Sequence, residues 1–210
     1  MKNKLKFFEN IELLKPEISL SKNDFYLKIP EYFFEKIKKR LIFVIKFRKM
    51  SQLKFDKHGN LQPYEISLIT KEEFKYIFVR CFDDISITRS ELYALYEQFS
   101  NDFSTLFTDE FVHWINGSFS TNKDNPNDID VVTLFEFTAE LDKKADVLKQ
   151  FTSKGYSKQN YSVDSYIVPV YDIRDPRYAI TQELVQYWKD WFSYDRQRRK
   201  KGFIQINYPL

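Results

Sequence analysis

The sequence predicts an α+β (mixed α/β) domain, a mixed β-sheet with flanking helices, preceded by an N-terminal extension. Three observations lead there. From Pro63 onward the hydrophobic period switches repeatedly between helical and strand spacing, in the order helix, strand, short helix, strand, helix, strand, helix, strand. The chain is 43% hydrophobic and 18% aromatic over 210 residues, enough to build a substantial core. And a Gly-Ser turn stands ten positions before an Asp-x-Asp pair on an apolar strand.

Residues 1–50 read as the extension. Within it, Asn23 to Ile29 alternates as a short strand, Glu31 to Arg40 is helix-like after Pro30, and Leu41 to Phe47 reads as a buried strand. The polar stretch around Lys54-Phe55-Asp56-Lys57-His58-Gly59-Asn60 makes residues 51–62 a linker. The domain proper is then 63–210. Thr70-Lys71-Glu72-Glu73 has the form of a capping box and opens a helix through Phe82. Thr88-Arg89-Ser90-Glu91 has the same form, and its helix carries Leu92, Leu95, Phe99, Phe103 and Leu106 on one face. Strands follow at Phe111 to Ile115 and Asp128 to Phe135. A helix is expected from Thr138 to Phe151 with a stop at Gly155. Tyr161 to Val170 alternates as a strand, Tyr178 to Phe192 is helical, and Gly202 to Tyr208 is a last strand.

Composition excludes several function classes. The net charge of +3, with acids and bases both abundant, does not mark a nucleic-acid binder. Cys81 is the single cysteine and His58 and His113 the only histidines, so a zinc site is disfavoured, and His113 fits a structural role. The longest apolar run, Leu41-Ile42-Phe43-Val44-Ile45, is far too short for a membrane span, and a cytoplasmic protein is expected. There is no Gly-Lys-Ser/Thr phosphate loop.

The chemistry is concentrated in the run from Asn116 to Val132. Side chains in a strand alternate faces, so Asp128 and Asp130 share one. Two adjacent carboxylates repel, and a divalent cation with a preference for hard oxygen ligands is the usual remedy. Gly117, one of four glycines, precedes Ser118 where a helix is expected to begin, and the free N–H groups of such a turn attract phosphate. A second cluster is the basic run Arg196-Gln197-Arg198-Arg199-Lys200-Lys201 beside Tyr187, Trp188, Trp191, Phe192 and Tyr194. It reads either as a grip on an RNA backbone with base stacking, through Arg196, Arg198, Arg199, Lys200 and Lys201, or as a helix C-terminus whose cations complement the dipole over core aromatics.

The Gly117-Ser118 turn followed by Asp128-Ile129-Asp130 on a strand resembles the DNA polymerase beta-type nucleotidyltransferase superfamily. The strings Trp114-Ile115-Asn116-Gly117-Ser118-Phe119, Lys123, Pro126-Asn127-Asp128-Ile129-Asp130 and Trp188-Lys189-Asp190-Trp191-Phe192 are similar to small bacterial and phage nucleotidyltransferase-like proteins of unassigned function. The resemblance runs from Pro63 to Leu210. It implies a nucleotidyltransferase-like sheet and a third acid on a later strand, best placed at Asp164. It further implies Mg²⁺ or Mn²⁺ held by Asp128, Asp130 and Asp164, with Asp164 also a general base, and an NTP, ATP foremost, bound through Gly117, Ser118 and Lys123. Lys123 reads equally as a solvated loop lysine. The acceptor would be RNA such as tRNA, or a protein, in a toxin–antitoxin or phage-defence setting that leaves open an oligomer or a cognate toxin or antitoxin partner. The alternative is a non-catalytic nucleotide sensor or complex-forming subunit on the same fold.

Overall fold

The computed structural model describes residues 53–152 and 156–209; the strands and helix expected before residue 50, and the stop at Gly155, lie outside these. A hairpin of β1 (Lys54–Phe55) and β2 (Leu61–Gln62) comes first. The expected linker is therefore structured from residue 54, and Leu61 is fully buried in the main core. A polar, Gly-containing turn alone does not separate a linker from a tight hairpin; the apolar Leu61 beyond it decides here.

Five strands form one mixed sheet in the order β3 (Ile66–Leu68), β7 (Phe203–Tyr208), β4 (Phe111–Asn116), β5 (Ile129–Glu136), β6 (Val163–Val170). The outer pairs β3/β7 and β5/β6 are parallel and the inner pairs β7/β4 and β4/β5 antiparallel, as an α+β domain allows. α1 (Lys71–Phe78) opens with the expected box: Thr70 Oγ1 accepts from Glu73 N–H and Glu73 Oε2 from Thr70 N–H. The second expected box does not form. α2 (Arg89–Leu106) starts after Thr88, whose hydroxyl instead donates to the Pro126 carbonyl, while Ser86 Oγ accepts from the N–H groups of Thr88 and Arg89. The buried stripe of α2 is Leu92, Tyr93, Tyr96, Phe99 and Phe103, and Leu106 is exposed. The helix expected over 138–151 is broken into α3 (Ala139–Asp142) and α4 (Ala145–Lys149). α5 (Ser157–Tyr161) precedes β6, and α6 (Tyr178–Phe192) has the expected ends.

Strand alternation divides the core between the two sheet faces. Ile115, Ile129, Val131, Val163, Ile204 and Ile206 pack with the aromatic side of α1 and α2. Trp114, Val132, Leu134, Val168 and Phe203 pack with Trp188 and Phe192 of α6. His113 is fully buried against Tyr96, to whose hydroxyl its Nδ1 is hydrogen-bonded, and burial pushes it down to about 3, so it is a neutral structural histidine. Among the described residues, no helix is long and apolar enough to cross a membrane.

Candidate functional site: a carboxylate cluster under a Gly-Ser turn

The parallel register of β5 and β6 sets Asp130 directly opposite Asp164. Both occupy strand positions of the same parity as the residues that face α6, at the start of their strands, beyond the end of the apolar layer. Asp128 lies two residues upstream on the same side. Lys158, on α5, joins the outer pair: its Nζ is 2.9 Å from Asp128 Oδ2 and 3.5 Å from Asp164 Oδ2. The sheet thus brings all three expected acids into one electrostatic unit. Burial, then repulsion from Asp128 and Asp164, pushes the Asp130 carboxyl up to about 6 against the opposing pull of Lys201 and Lys158.

The Gly117 turn closes over this carboxylate. Gly117 has φ +73°, and a Cβ there would fall 1.6 Å from Asp130 Oδ2, so no side chain fits between turn and acid. The segment 117–122 is a compact turn rather than the helix start that was expected: Thr121 N–H and its hydroxyl both donate to the Ser118 carbonyl. Among the described residues, the N–H groups of Ser118, Phe119 and Ser120 donate to no protein acceptor, and Ser118 is half-buried. Phe119 and Ser120 are fully buried, so Ser118 is the residue of the three that reaches the surface; N–H groups left without protein acceptors in a turn are the kind of backbone that attracts anions. Asn116, opposite Asp130 on β4, ties the turn to α6 by donating from Nδ2 to the Phe192 carbonyl at 2.7 Å and accepting from Ser120 Oγ.

Two residues that the sequence reading placed elsewhere hold this geometry. Lys201, read as part of the basic run, is buried and donates from Nζ to the Gly117 carbonyl. Burial lowers it to about 8, opposed by Asp130 and Asp195. Arg89, read as the second residue of a capping box, is 1% exposed. Its Nη1 donates to the carbonyls of Phe78 and Phe119, and its Nη2 to those of Thr121 and Lys123, all at 2.7–2.8 Å. Its guanidinium also lies 3.9 Å from the Phe82 ring centroid. One planar cation thus clamps the turn at both ends. A lysine, with one ammonium, would not present the same fork. The Lys123 side chain is exposed and takes part only through its backbone. Nothing in local spacing marks Lys158, Lys201 or Arg89, because each has a partner distant in sequence: Asp128, the Gly117 carbonyl, and the carbonyls of Phe119, Thr121 and Lys123.

The basic run is divided by the fold. Arg196, Arg198 and Lys200 are exposed, and Arg199 is committed to Asp195, Nε to Oδ2 at 2.6 Å. Burial acts to raise the Asp195 carboxyl, but donation from Asn60, Arg199 and Gln197 holds it well below the usual carboxylate range.

As the side chains stand, no three His, Cys, Asp or Glu among the described residues are grouped closely enough to hold a metal ion. The donor set nonetheless fits a divalent cation in kind. It consists of hard carboxylate oxygens, and Asp130 carries repulsion that the two nearby ammonium groups do not cancel. Asp128, Asp130 and Asp164 are the residues that would hold such an ion, and Lys158 supplies counter-charge to two of them.

No curated protein and no solved structure matches this chain. Residues 53–207, from the β1 hairpin through β7, match the model of a family of unknown function (DUF6932), which spans the carboxylates, the Gly117 turn, Arg89, Lys158 and Lys201 alike. The chain belongs to that family, DUF6932.

Proposed function

We propose that the protein is a metal-dependent nucleotidyltransferase that moves a nucleotide from an NTP, ATP foremost, to a hydroxyl on RNA or on a protein: the acceptor oxygen bonds to the α-phosphorus as the bond to the bridging oxygen breaks, and pyrophosphate leaves. The observation that carries this reading is the register of Asp130 with Asp164 beneath a turn in which the N–H groups of Ser118, Phe119 and Ser120 have no acceptor among the described residues. Turn N–H groups without protein acceptors and several carboxylates within one site suit phosphoryl chemistry.

Asp128, Asp130 and Asp164 would hold Mg²⁺ or Mn²⁺. When bound, the ion neutralises charge on the triphosphate and lowers the pKa of an attacking hydroxyl. The chain's own groups do the rest. The N–H groups of Ser118 and its neighbours, with the Ser118 hydroxyl, receive the terminal phosphates, and Gly117 lets the backbone approach them. Asp164, whose side chain is 21% exposed at the start of its strand, accepts the proton of the incoming hydroxyl. Lys158, which now pairs with Asp128 and Asp164, would supply a cation to the phosphates once released from them. Lys201 keeps the turn seated on Asp130.

The test is transfer of label from α-³²P NTPs to total RNA or total protein with Mg²⁺ or Mn²⁺, set against Asp128→Ala/Asp130→Ala. Metal-dependent transfer that the variant loses supports the reading. Nucleotide binding without transfer to any acceptor sinks it in favour of the second reading, a nucleotide sensor or complex-forming subunit. One observation favours that second reading: Lys158 already supplies the counter-charge between Asp128 and Asp164.

A further inference from the structure

α6 ends beside the carboxylates, and what it exposes there is unusual for a helix packed on a sheet. Trp188 and Phe192 are buried as core anchors. Tyr187 and Trp191, on its outer side, are 53% and 61% exposed, and their rings lie parallel within 14° at 6.2 Å. Tyr194 follows at 40% exposed. The chain then forms a short arm, closed by the Tyr194–Lys200 bridge and by Lys201 N–H donating to the Ser193 carbonyl. Its tip carries Arg196, Arg198 and Lys200, all exposed, none in an ion pair among the described residues. Asp195, the acid of the arm, is already satisfied by Arg199 and Asn60.

Both ends of this arm are fastened to the carboxylate site. At its start the Phe192 carbonyl accepts from Asn116, the residue opposite Asp130; at its end Lys201 donates to the Gly117 carbonyl. On the hairpin side, a pocket of about 520 Å³ is lined by Lys57, His58, Tyr64, Arg199 and Lys200 together with Asp56. Asp56 accepts from the N–H groups of His58 and Asn60 and from the Tyr64 hydroxyl, so its charge is engaged. The arm thus carries exposed cations and follows directly on the exposed rings of α6, with an open pocket on its hairpin side, and its two ends are bonded to Asn116 and Gly117 of the carboxylate site.

We infer that this surface binds single-stranded nucleic acid and delivers its end to the Asp130 site. Exposed flat rings gain most from unpaired base faces, which a duplex hides in its own stack. Free arginine and lysine tips suit a phosphate backbone that runs past them. The inference rests on the nucleotidyltransferase reading only for what is delivered; the binding surface stands on the arm and the rings.

The experiment is fluorescence anisotropy of a labelled twelve-nucleotide RNA of mixed sequence with the full chain, without NTP or metal, across a salt series. The single strand binds more tightly than the same sequence as duplex. In Tyr187→Ala/Trp191→Ala, affinity falls roughly tenfold or more, and Trp191→Phe keeps most of it. In Arg196→Ala/Arg198→Ala/Lys200→Ala, the slope of log K against log salt shrinks by about 2. All these side chains are exposed, and unchanged thermal midpoints verify the fold. Equal binding of duplex, or affinity unmoved by both variant sets, overturns the inference. So does label transfer to protein acceptors by a chain that binds no oligonucleotide, although that result leaves the nucleotidyltransferase reading intact. Binding that both variant sets weaken, with no transfer from any NTP, does the reverse.

Discussion

Replacing Lys158 with methionine tests whether this side chain stands where a divalent ion would bind. The ammonium lies 2.9 Å from Asp128 and 3.5 Å from Asp164, and the lysine side chain is 52% exposed. At that exposure solvent screens each pair to ~0.2–1 kcal/mol, so the two together hold ~0.4–2 kcal/mol. An ion that takes the same carboxylates must first release both contacts. Lys158→Met removes that cost, and at 1.4 kcal/mol per tenfold the affinity for Mn²⁺ rises roughly 2- to 25-fold. The assay is titration of free Mn²⁺ by electron paramagnetic resonance at pH 8, where Asp130 is ionised, with Lys158→Arg as a control that keeps wild-type affinity. Lys158→Met that binds Mn²⁺ no more tightly than wild type, or more weakly, refutes the competition. In the metal-free state the same substitution leaves Asp128, Asp130 and Asp164 facing one another with less counter-charge, so the Asp130 carboxyl titrates still higher.

Asp130 makes metal-free stability depend on pH with an unusual sign. Its folded carboxyl, near 6, lies above its ordinary 3.8, so between those values the folded state binds more protons than the unfolded one. Stability is therefore present in full below about pH 4 and is lost as pH rises through about 6, by up to about 3 kcal/mol; Asp130→Asn flattens this limb in a denaturant series, and a limb that persists in the variant assigns it to another group. Gly117→Ala drives a methyl group into the Asp130 carboxylate at a left-handed φ, so unfolding free energy falls by at least ~1–2 kcal/mol, and nucleotide binding measured by fluorescence falls with it. Wild-type affinity in this variant would show that the turn does not touch the nucleotide. Arg89→Met strands three loop carbonyls and that of Phe78 at the end of α1 and costs ~3–5 kcal/mol by chemical denaturation, and Arg89→Lys recovers only part of it; full recovery by lysine would mean that charge, not the fork, is what the loop needs.

Local chemistry made much of this molecule legible. Thr70 and Glu73 complete their box because both partners lie within one helical turn. α6 begins and ends where its period does, and β4, β5 and β6 follow their apolar alternation. Thr88 failed as a box because Pro126, distant in sequence, offered its hydroxyl a carbonyl. The stretch 138–151 has helical composition, but Lys144 donates to the Phe107 carbonyl between the two short helices that form there.

The same division runs through the site. Asp128 and Asp130 were visible as a pair because strand alternation is a local rule, and Gly117 because a scarce glycine before a serine marks a backbone need. The sequence alone determined the α+β class, the acid pair and its turn. Only the tertiary structure decided that Asp164 is the residue opposite Asp130, because register between strands is a property of the sheet and not of either strand. It also decided that Lys158 bridges two acids, that Lys201 is buried under Gly117 rather than exposed with its neighbours, and that Arg89 clamps the turn. Each of these is a long side chain whose role depends on which distant backbone or carboxylate comes within reach of its charged end, and chain spacing carries no information about that distance.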